Sequence, residues 1–398
     1  MSRAAAGTGA AFRELDLLAF DQLLTEEEVI VRDQVRDFVT ERILPLVPAH
    51  WEAGTFPHEL AAPMGAMGLL GPTIPAEYGG AGMGSVAYGL ICHELERADS
   101  GVRSFASVQG SLVMYPIHAF GSEEQKRAWL PRLATGEAIG CFGLTEPDFG
   151  SNPGGMRTRC RRDGDEWVID GQKMWITNGT GCDLAVVWAR DEEGLVHGFL
   201  VEGDRPGFSA PEQKHKWSLR CSVTSELVLE GVRVPEANRL PEAKGLKAAL
   251  SCLTQARYGI AWGAIGAAQA CFDEARRYTL EREVFDKPLA GFQITQVKLA
   301  EMATEISKGQ LLMWRLGRLK EAGELTPQQV SLAKRNNVAV ALDIAREARS
   351  LLGANGITLE YQAGRHMCNL ETVKTYEGTH EIHSLVLGEA VTGIPAYR

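Results

Sequence analysis

The chain has 398 residues and a formal net charge of −10, with 45% hydrophobic and 23% charged residues. This size allows two or three domains with sizeable cores, and the composition excludes a disordered chain. A nucleic-acid partner is not expected, because such proteins cluster Lys and Arg on a basic surface. The sequence shows no secretory segment and no apolar run near the roughly 18 residues of a membrane span. We therefore expect a globular protein without a membrane partner.

The N-terminal third is predicted to be helical. Thr25-Glu-Glu-Glu28 forms a capping box, and apolar residues follow at helical spacing as far as Pro45. Further helix-like segments run from Tyr88 to Arg97 and from Ser122 to Thr135. These segments predict a helical domain over residues 14–138.

From Cys141 the pattern changes to short β-like runs without intervening helices. We predict a small antiparallel barrel or sandwich over residues 139–244, with Asp170-Gly171 as a hairpin turn. Residues 245–398 are again predicted to be helical. A long helix should run from about Ala248 to Glu283, with Gly259, Gly263 and Gly266 on one side, where small residues let another helix approach closely. Another helix should begin at the N-cap Thr326 and stop at Gly353. This order predicts an α+β protein with a β domain between two helical bundles.

The eight cysteines are scattered and show neither Cys-x-x-Cys nor the spacing of a disulfide framework. This distribution is typical of reduced, mostly buried thiols. We expect a reducing compartment, which would be the cytoplasm of a bacterium or, for a processed eukaryotic enzyme, the mitochondrial matrix.

Two short motifs could indicate other chemistry. Gly80-Ala-Gly82-Met-Gly84 resembles a phosphate-binding loop, but no strand precedes it, so a surface loop is the better interpretation. Glu377-Gly-Thr-His380 contains the Glu-x-x-His pattern of di-iron bundles. Such sites need a second copy on another helix, and no second predicted helix has one, so no metal is predicted. Glu377 alone would be interpreted as a carboxylate at a helix N-terminus.

Further motifs follow one another in a fixed order. They are Cys141-Phe-Gly-Leu-Thr-Glu-Pro-Asp-Phe-Gly-Ser151, Lys173-Met-Trp-Ile-Thr-Asn178, Ala256-Arg-Tyr-Gly-Ile-Ala-Trp262, Arg282-Glu-Val-Phe285 with Gln293, Leu352-Gly-Ala-Asn-Gly356 and Thr375-Tyr-Glu-Gly-Thr-His380. In this combination the chain resembles the acyl-CoA dehydrogenase family over essentially its whole length. The resemblance implies a C-terminal four-helix bundle, FAD as cofactor and an acyl-CoA substrate. It also implies an electron-transferring flavoprotein as acceptor and a homotetramer built as a dimer of dimers.

The resemblance also implies roles for individual residues. Glu377 would be the base that removes a proton beside the thioester, and Ser151, Leu253, Arg257 and Gly378 would contact the acyl-CoA. Residues that match flavin contacts are Phe142, Leu144, Thr145, Ser151, Trp175, Ile176, Thr177, Thr379 and Glu381, with Arg282, Phe285, Gln293, Gly353 and Ala354 supplied by a neighbouring subunit. Taken singly, Trp175 and Phe142 would be interpreted as core aromatics, and Arg257 as a helix-surface arginine.

Within the family, the chain is most similar to the glutaryl-CoA dehydrogenases. The segments that carry this similarity are Glu96-Arg-Ala-Asp-Ser-Gly-Val-Arg103-Ser104, Ser107-Val-Gln-Gly-Ser-Leu-Val-Met114, Arg335-Asn336 and Leu387-Gly-Glu-Ala-Val-Thr-Gly-Ile394. By resemblance, Arg103, Ser104 and Ser107 would bind the distal carboxylate of the substrate, with Glu96 and Tyr376 close by. The implied reaction is oxidative decarboxylation of glutaryl-CoA to crotonyl-CoA and carbon dioxide.

Three departures from the family pattern leave other hypotheses open. Val102 replaces an aromatic residue before Arg103, Asp286 replaces a glycine after Phe285, and Gly179 replaces a serine after Asn178. A dehydrogenase of another acyl-CoA, either branched or modified dicarboxylic or short-chain, is the second hypothesis. The third is a non-catalytic protein that binds acyl-CoA or flavin, although such a protein would not need Glu377.

Overall fold

The computed structural model describes residues 15–396, in which helices precede and follow one β-rich region. The helices before the sheet are α1 (Glu26–Phe38), α2 (Val47–Ala53), α3 (Ala61–Ala66), α4 (Ser85–Ala98), α5 (Ser100–Ser107), α6 (Tyr115–Phe120) and α7 (Glu123–Thr135). The capping box predicted at Thr25 is confirmed, because its side chain accepts a hydrogen bond from the backbone N–H of Glu28 and its own N–H donates to the Glu28 carboxylate.

The central sheet contains seven strands in the described chain. They are β1 (Gly140–Gly143), β2 (Arg159–Asp163), β3 (Glu166–Thr177), β4 (Leu184–Arg190), β5 (Val196–Glu202), β6 (Phe208–Ser209) and β7 (Thr224–Pro235). Their order is β1-β4-β2-β3-β7-β6, and β5 pairs with β4. Most neighbours are antiparallel, but β1 and β2 each run parallel to β4. The two longest strands of this curled sheet, β3 and β7, pair with each other.

The hairpin turn predicted at Asp170-Gly171 is wrong. The turn between β2 and β3 consists of Gly164 and Asp165, since Asp163 pairs with Glu166. Gly171 instead lies within β3, at a register shift relative to β7 that marks a β-bulge. Its φ is 152°, and a Cβ atom there would come within 2.5 Å of the Thr158 hydroxyl oxygen. A glycine is needed here for space, and the sequence pattern does not distinguish a bulge from a turn.

The C-terminal helices are built around one long element. They are α8 (Leu246–Glu281), α9 (Gln293–Glu321), α10 (Pro327–Leu351), α11 (Ala363–Thr375) and α12 (His380–Thr392), with the short strands β8 (Glu283–Val284) and β9 (Lys287–Pro288) after α8. The predicted helix start at Thr326 is confirmed by its capping box. Because α8 packs against α4, α9, α10 and α11, it connects the N-terminal helices to the C-terminal bundle.

Small residues on α8 allow the close packing against α4 that the sequence predicts. A Cβ atom on Gly263 would lie 2.0 Å from the Glu96 carboxylate, and one on Gly266 would lie 1.9 Å from the His93 carbonyl oxygen. Glu96 also accepts a hydrogen bond from Arg103. The packing of this helix pair therefore positions a partner of a predicted site residue.

Gly263→Ala is therefore expected to lower the free energy of unfolding by about 1–3 kcal/mol, the usual cost of overpacking a core. The control is Gly388→Ala in α12, where a Cβ atom would meet nothing within 4 Å. It should be neutral or stabilise the protein by up to about 1 kcal/mol, because alanine favours helix. Urea unfolding of both variants tests this, and equal losses would contradict the packing explanation.

All eight cysteines lie in the described part of the chain, where they are unpaired, and seven are buried. Within residues 15–396, no helix combines the length and apolar character needed to cross a bilayer.

Candidate active site

Glu377 lies in the short connection between α11 and α12. Its φ is +50° and that of Gly378 is +89°, so two successive residues adopt left-handed conformations. Thr379 then caps α12 by accepting a hydrogen bond from the Ile382 N–H at 3.2 Å. Glu377 thus precedes the helix cap and does not lie in the first turn of α12. A non-glycine residue in this conformation costs about 1–3 kcal/mol and is typical of functional sites.

The main chain of this connection is held by two long helices. Lys334 on α10 donates through Nζ to the carbonyl oxygens of Tyr376 and Gly378, each at 2.9 Å. Arg257 on α8 donates through Nε to the Glu377 carbonyl oxygen at 2.7 Å. Three successive carbonyl groups therefore each accept a hydrogen bond from a cationic side chain.

The Glu377 carboxylate is positioned to accept a proton. Its Oε2 atom is buried and has no hydrogen-bond partner among the described residues. Burial raises the pKa of Glu377, while the positive charges of Arg103, Arg257 and Lys334 oppose that shift. A desolvated carboxylate with a free oxygen atom is suited to act as a general base near neutral pH.

Arg103, on α5, is fully buried beside this carboxylate. Its Nε donates to Glu96 at 2.6 Å, and its Nη2 donates to the Tyr376 hydroxyl. Burial alone would lower the pKa of Arg103, but Glu96 and Tyr376 raise it well above the usual value. Its Nη1 is buried without a partner in the described structure, and so is the hydroxyl of Ser107, one turn further along α5. Two polar side chains without a hydrogen-bond partner in the described structure thus occur one turn apart on one helix.

A buried polar network fixes α5 relative to Glu377. Asp99 caps α5 by accepting from the Gly101 N–H at 2.7 Å. It also accepts from Arg365 at 3.1 Å and from Asn369 at 2.8 Å, and both of these residues lie on α11, which leads directly to Tyr376. The Asn369 side-chain oxygen accepts from the Leu219 N–H at 2.8 Å. The N-terminal helices, the β region and the C-terminal helices therefore meet at this network.

The predicted flavin-contacting residues of the β region surround a second bulge in β3. Trp175 has φ +63° and lies beside a register shift, and its side chain is 61% exposed. Phe142 and Leu144 are buried in one apolar cluster, against which Leu253 of α8 packs. Ile176 is buried, Thr145 and Thr177 are half-buried, and Ser151 is exposed. The interpretation of Trp175 as a core aromatic is wrong, because the strained bulge turns its ring outward.

An ion pair that the sequence did not reveal supports this bulge. Lys173 is fully buried; its Nζ lies 2.8 Å from the Glu146 carboxylate and donates to the Leu144 carbonyl oxygen at 3.2 Å. Burial lowers the pKa of Lys173 to about 8, although Glu146 opposes the shift. The Met174 N–H donates to the Thr145 carbonyl oxygen at 2.8 Å. These contacts join the segment that contains Phe142–Thr145 to the segment that contains Trp175–Thr177.

A separate set of predicted residues lies at the far end of the bundle. Arg282, Phe285, Gln293, Gly353 and Ala354 are all exposed. Asn355 donates to the Tyr278 hydroxyl at 3.2 Å, which brings the Gly353–Ile357 turn to the end of α8. At about 1.5 Å per residue, α8 separates Arg257 from Arg282 by roughly 35–40 Å. This set therefore cannot contribute to the site around Glu377 in the same chain.

The structure gives physical reasons for two of the three departures. A Cβ atom on Gly179 would lie 2.0 Å from the Ser225 hydroxyl, so a larger residue would displace the Ser225 side chain. Phe285 and Asp286 occupy a two-residue turn with φ of +49° and +62°, and aspartate tolerates this conformation better than most residues. Val102 is fully buried in the N-terminal apolar cluster, and nothing in the structure explains why it replaces an aromatic residue.

The buried histidine near Glu377 has a structural position. His383 is buried and its Nδ1 lies 3.0 Å from the Ser331 hydroxyl, and burial lowers its pKa to about 3. Gly378 is required beside it, since a Cβ atom there would come within 2.8 Å of His383 Nε2. Glu381 is exposed. No group of three or more potential metal ligands occurs in residues 15–396.

Comparisons with known proteins agree with this geometry. Profiles of the N-terminal, middle and C-terminal domains of acyl-CoA dehydrogenase match residues 25–137, 141–232 and 243–392. The chain belongs to the acyl-CoA dehydrogenase family. It is 35% identical to human mitochondrial short-chain specific acyl-CoA dehydrogenase over 382 residues, covering 95% of this chain and 93% of that protein.

Solved structures of other family members are also similar. A glutaryl-CoA dehydrogenase from Mycobacterium smegmatis in complex with FADH2 is 56% identical, with a TM-score of 0.95 over 96% of this chain and 98% of that one. Butyryl-CoA dehydrogenase from Megasphaera elsdenii is 32% identical, with a TM-score of 0.89 over 92% and 98% of the two chains. This acyl-CoA dehydrogenase fold therefore occurs in enzymes with different acyl substrates.

Proposed function

We propose that this protein is an FAD-dependent dehydrogenase of glutaryl-CoA that releases crotonyl-CoA and carbon dioxide. The observation that supports the substrate is Arg103, whose guanidinium is completely buried and has an unpartnered Nη1 beside Glu377. A buried N–H group without an acceptor is costly. Glu96 already balances the charge, so an oxygen acceptor on the substrate would complete the hydrogen bonding.

The distal carboxylate of glutaryl-CoA supplies such an acceptor. One of its oxygens can accept from Arg103 Nη1, and the other can accept from the Ser107 hydroxyl on the same face of α5. Ser104 is buried next to Arg103 and narrows this end of the pocket. A butyryl chain would place a methyl group against both donors and leave them unsatisfied, which favours a substrate with a second carboxylate.

Glu377 performs the first step by removing the proton from the carbon next to the thioester carbonyl. By resemblance to the family, the backbone N–H of Glu377 donates to that carbonyl oxygen and stabilises the negative charge that develops on it. The hydride of the next carbon would pass to FAD, the oxidant that the residues around the β3 bulge would hold. The γ-carboxylate can then leave as carbon dioxide, because its electron pair delocalises into the unsaturated thioester. The protonated Glu377 is positioned to return a proton to the product.

The β3 bulge fits a planar cofactor ring. Trp175 has an exposed ring and a strained, left-handed backbone. The buried ion pair of Lys173 with Glu146 supports the adjacent part of β3 on the interior side of the sheet. Phe142 to Thr145 and Trp175 to Thr177 would line the ring. Apolar side chains with a few fixed polar groups are typical of cofactor sites.

The remaining cofactor contacts require a second copy of the chain. Arg282, Phe285 and Gln293 lie too far from Glu377 to act in the same site, and Phe285 is 87% exposed at a strained turn. We propose that they contact the cofactor of a neighbouring subunit, in a homotetramer arranged as a dimer of dimers. An electron-transferring flavoprotein is the proposed electron acceptor.

Oxidation of another acyl-CoA without decarboxylation is the second candidate. One observation favours it: Arg103 already pairs with Glu96 at 2.6 Å, so the pocket can be electrically neutral without a substrate carboxylate. Val102 also replaces the aromatic residue usual beside Arg103.

Anaerobic mixing of the FAD-loaded protein with glutaryl-CoA or butyryl-CoA separates the two candidates. Flavin absorbance reports oxidation, and mass spectrometry detects crotonyl-CoA and carbon dioxide. We expect glutaryl-CoA to reduce the flavin at least about tenfold faster, a difference of about 1.4 kcal/mol, and to release carbon dioxide. Faster reduction by butyryl-CoA, or glutaconyl-CoA as the only product, would reject the glutaryl-CoA proposal.

A further inference from the structure

The connection that carries Glu377 is strained, and a buried lysine binds the main chain on both sides of it. Residues 377 and 378 have φ of +50° and +89°, so the backbone needs external support to keep this shape. Lys334 Nζ donates to the carbonyl groups on either side of Glu377, at 2.9 Å each. The lysine is 1% exposed, and its side chain bridges residues 376 and 378 without contacting the Glu377 side chain through a hydrogen bond.

This arrangement differs from an ordinary structural ion pair. Lys334 has no carboxylate within salt-bridge distance in the described structure, and both of its hydrogen bonds go to main-chain oxygens. A buried ammonium group without a bonded anion is unusual, because its desolvation must be compensated by dipoles, by more distant charges and by the Tyr376 ring, whose centroid lies 5.9 Å from Nζ. The buried position of Lys334 is therefore explained by its hydrogen bonds to the main chain of Tyr376 and Gly378.

We propose that Lys334 is a positioning residue for proton abstraction, which holds the Glu377 carboxylate at the substrate by fixing the two flanking carbonyl groups. This inference rests on the proposed role of Glu377 as the base. Lys334 is expected to touch neither substrate nor cofactor. Its contribution should therefore appear in the deprotonation step and not in thioester binding.

The charged groups around Lys334 give a second, electrostatic effect. Glu377 and Glu381 raise the pKa of Lys334, Arg257 and Arg103 lower it, and burial as the largest effect brings it to about 7. In return, Lys334, Arg103 and Arg257 lower the pKa of Glu377. The neighbouring His383 does not contribute charge near neutral pH, because its pKa is about 3. Loss of the lysine should therefore raise the pKa of Glu377.

Lys334→Met tests the inference, since it keeps most of the side-chain volume and removes the ammonium group. The readout is exchange of the α-protons of 3-thiaglutaryl-CoA for deuterium in D2O, followed by mass spectrometry. This compound has an acidic α-position, but sulfur replaces the carbon that would lose a hydride. We expect exchange to slow by about 100-fold, the effect of a misplacement near 1 Å. The dissociation constant should change less than threefold, and the acidic limb of the pH profile should move to higher pH.

The matched control is Lys308→Met on α9, where Lys308 is exposed and, among residues 15–396, pairs only with Glu305 of the same helix. Its exchange rate should equal that of the parent. An unchanged rate in Lys334→Met, or a loss of binding as large as the loss of exchange, would overturn the inference. If the parent itself exchanges no α-protons, the proposed base chemistry fails and the inference fails with it.

Chemical rescue covers the case in which Lys334→Met does not fold. Lys334→Ala is refolded with n-propylammonium, which supplies the atoms that the truncation removes. Exchange that rises with amine concentration supports the positioning role. A folded, FAD-binding Lys334→Ala protein that exchanges at the parental rate without amine would overturn it.

Discussion

Replacing Glu377 with glutamine is expected to slow flavin reduction by acyl-CoA by about 10³–10⁴-fold, the upper part of the range for loss of a general base. Glutamine has nearly the same shape but cannot accept the α-proton. The fold of the connection should survive, because Lys334 and Arg257 bind its main-chain carbonyl groups and not the carboxylate. Stopped-flow absorbance under anaerobic conditions measures the rate.

The matched control for this prediction is Glu371→Gln, on α11 and six residues before Glu377. Glu371 pairs with Arg346 at the surface, so its loss should leave the rate within about twofold of the parent, as expected for an exposed ion pair. A Glu377→Gln protein that retains FAD and thioester binding but reduces flavin at a rate near the parent would disprove the role of Glu377.

The pH dependence of the parent rate follows from the same environment. Below its pKa, Glu377 is protonated and cannot accept the substrate proton, so the rate should rise as pH increases through that pKa. Burial raises the pKa of Glu377, which places this rise at higher pH than for an exposed glutamate. In Glu377→Gln the remaining slow reaction should lack this acidic limb.

Arg103→Gln is expected to lower kcat/KM for glutaryl-CoA by about 10²–10³-fold and to change that for butyryl-CoA by less than about tenfold. The expected loss corresponds to about 3–4 kcal/mol, which is similar to the cost of removing one partner from a buried charge pair. Steady-state assays with both thioesters measure the change in preference. Equal losses for the two substrates would show that Arg103 does not bind the distal carboxylate.

A stability effect must be separated from this change in preference. Arg103→Gln leaves Glu96 buried without its partner, since the two form an ion pair at 2.6 Å with both side chains fully buried. The double variant Glu96→Gln with Arg103→Gln removes both charges and should recover much of the lost stability. It should nevertheless keep the altered preference for butyryl-CoA over glutaryl-CoA.

Local sequence patterns predicted the individual helices well. The capping boxes at Thr25 and Thr326 fix helix starts through contacts three residues apart, so no tertiary information is needed. The long helix was predicted from Ala248 to Glu283 and is observed over Leu246–Glu281. The glycines on α8 likewise predict a close helix contact, although they do not identify the partner helix.

The strands were harder to interpret because their pairing is not local. Asp170-Gly171 has the composition of a hairpin turn, but the partner strand β7 places it at a bulge. The exposed ring of Trp175 follows from a second bulge in the same strand. Both features depend on register between distant segments, which the period-2 pattern of a single strand does not contain.

By itself, the sequence determined the family, the order of helical and β regions, and Glu377 as the candidate base, because ordered motifs identify a fold by their combination. Only the tertiary structure showed that Glu377 has a left-handed backbone and that Lys334, from another helix, supports it. It also showed that Arg103 is paired with Glu96 and still has a free donor. Burial, unsatisfied hydrogen bonds and pKa shifts arise from residues distant in sequence, so they exist only once the chain has folded.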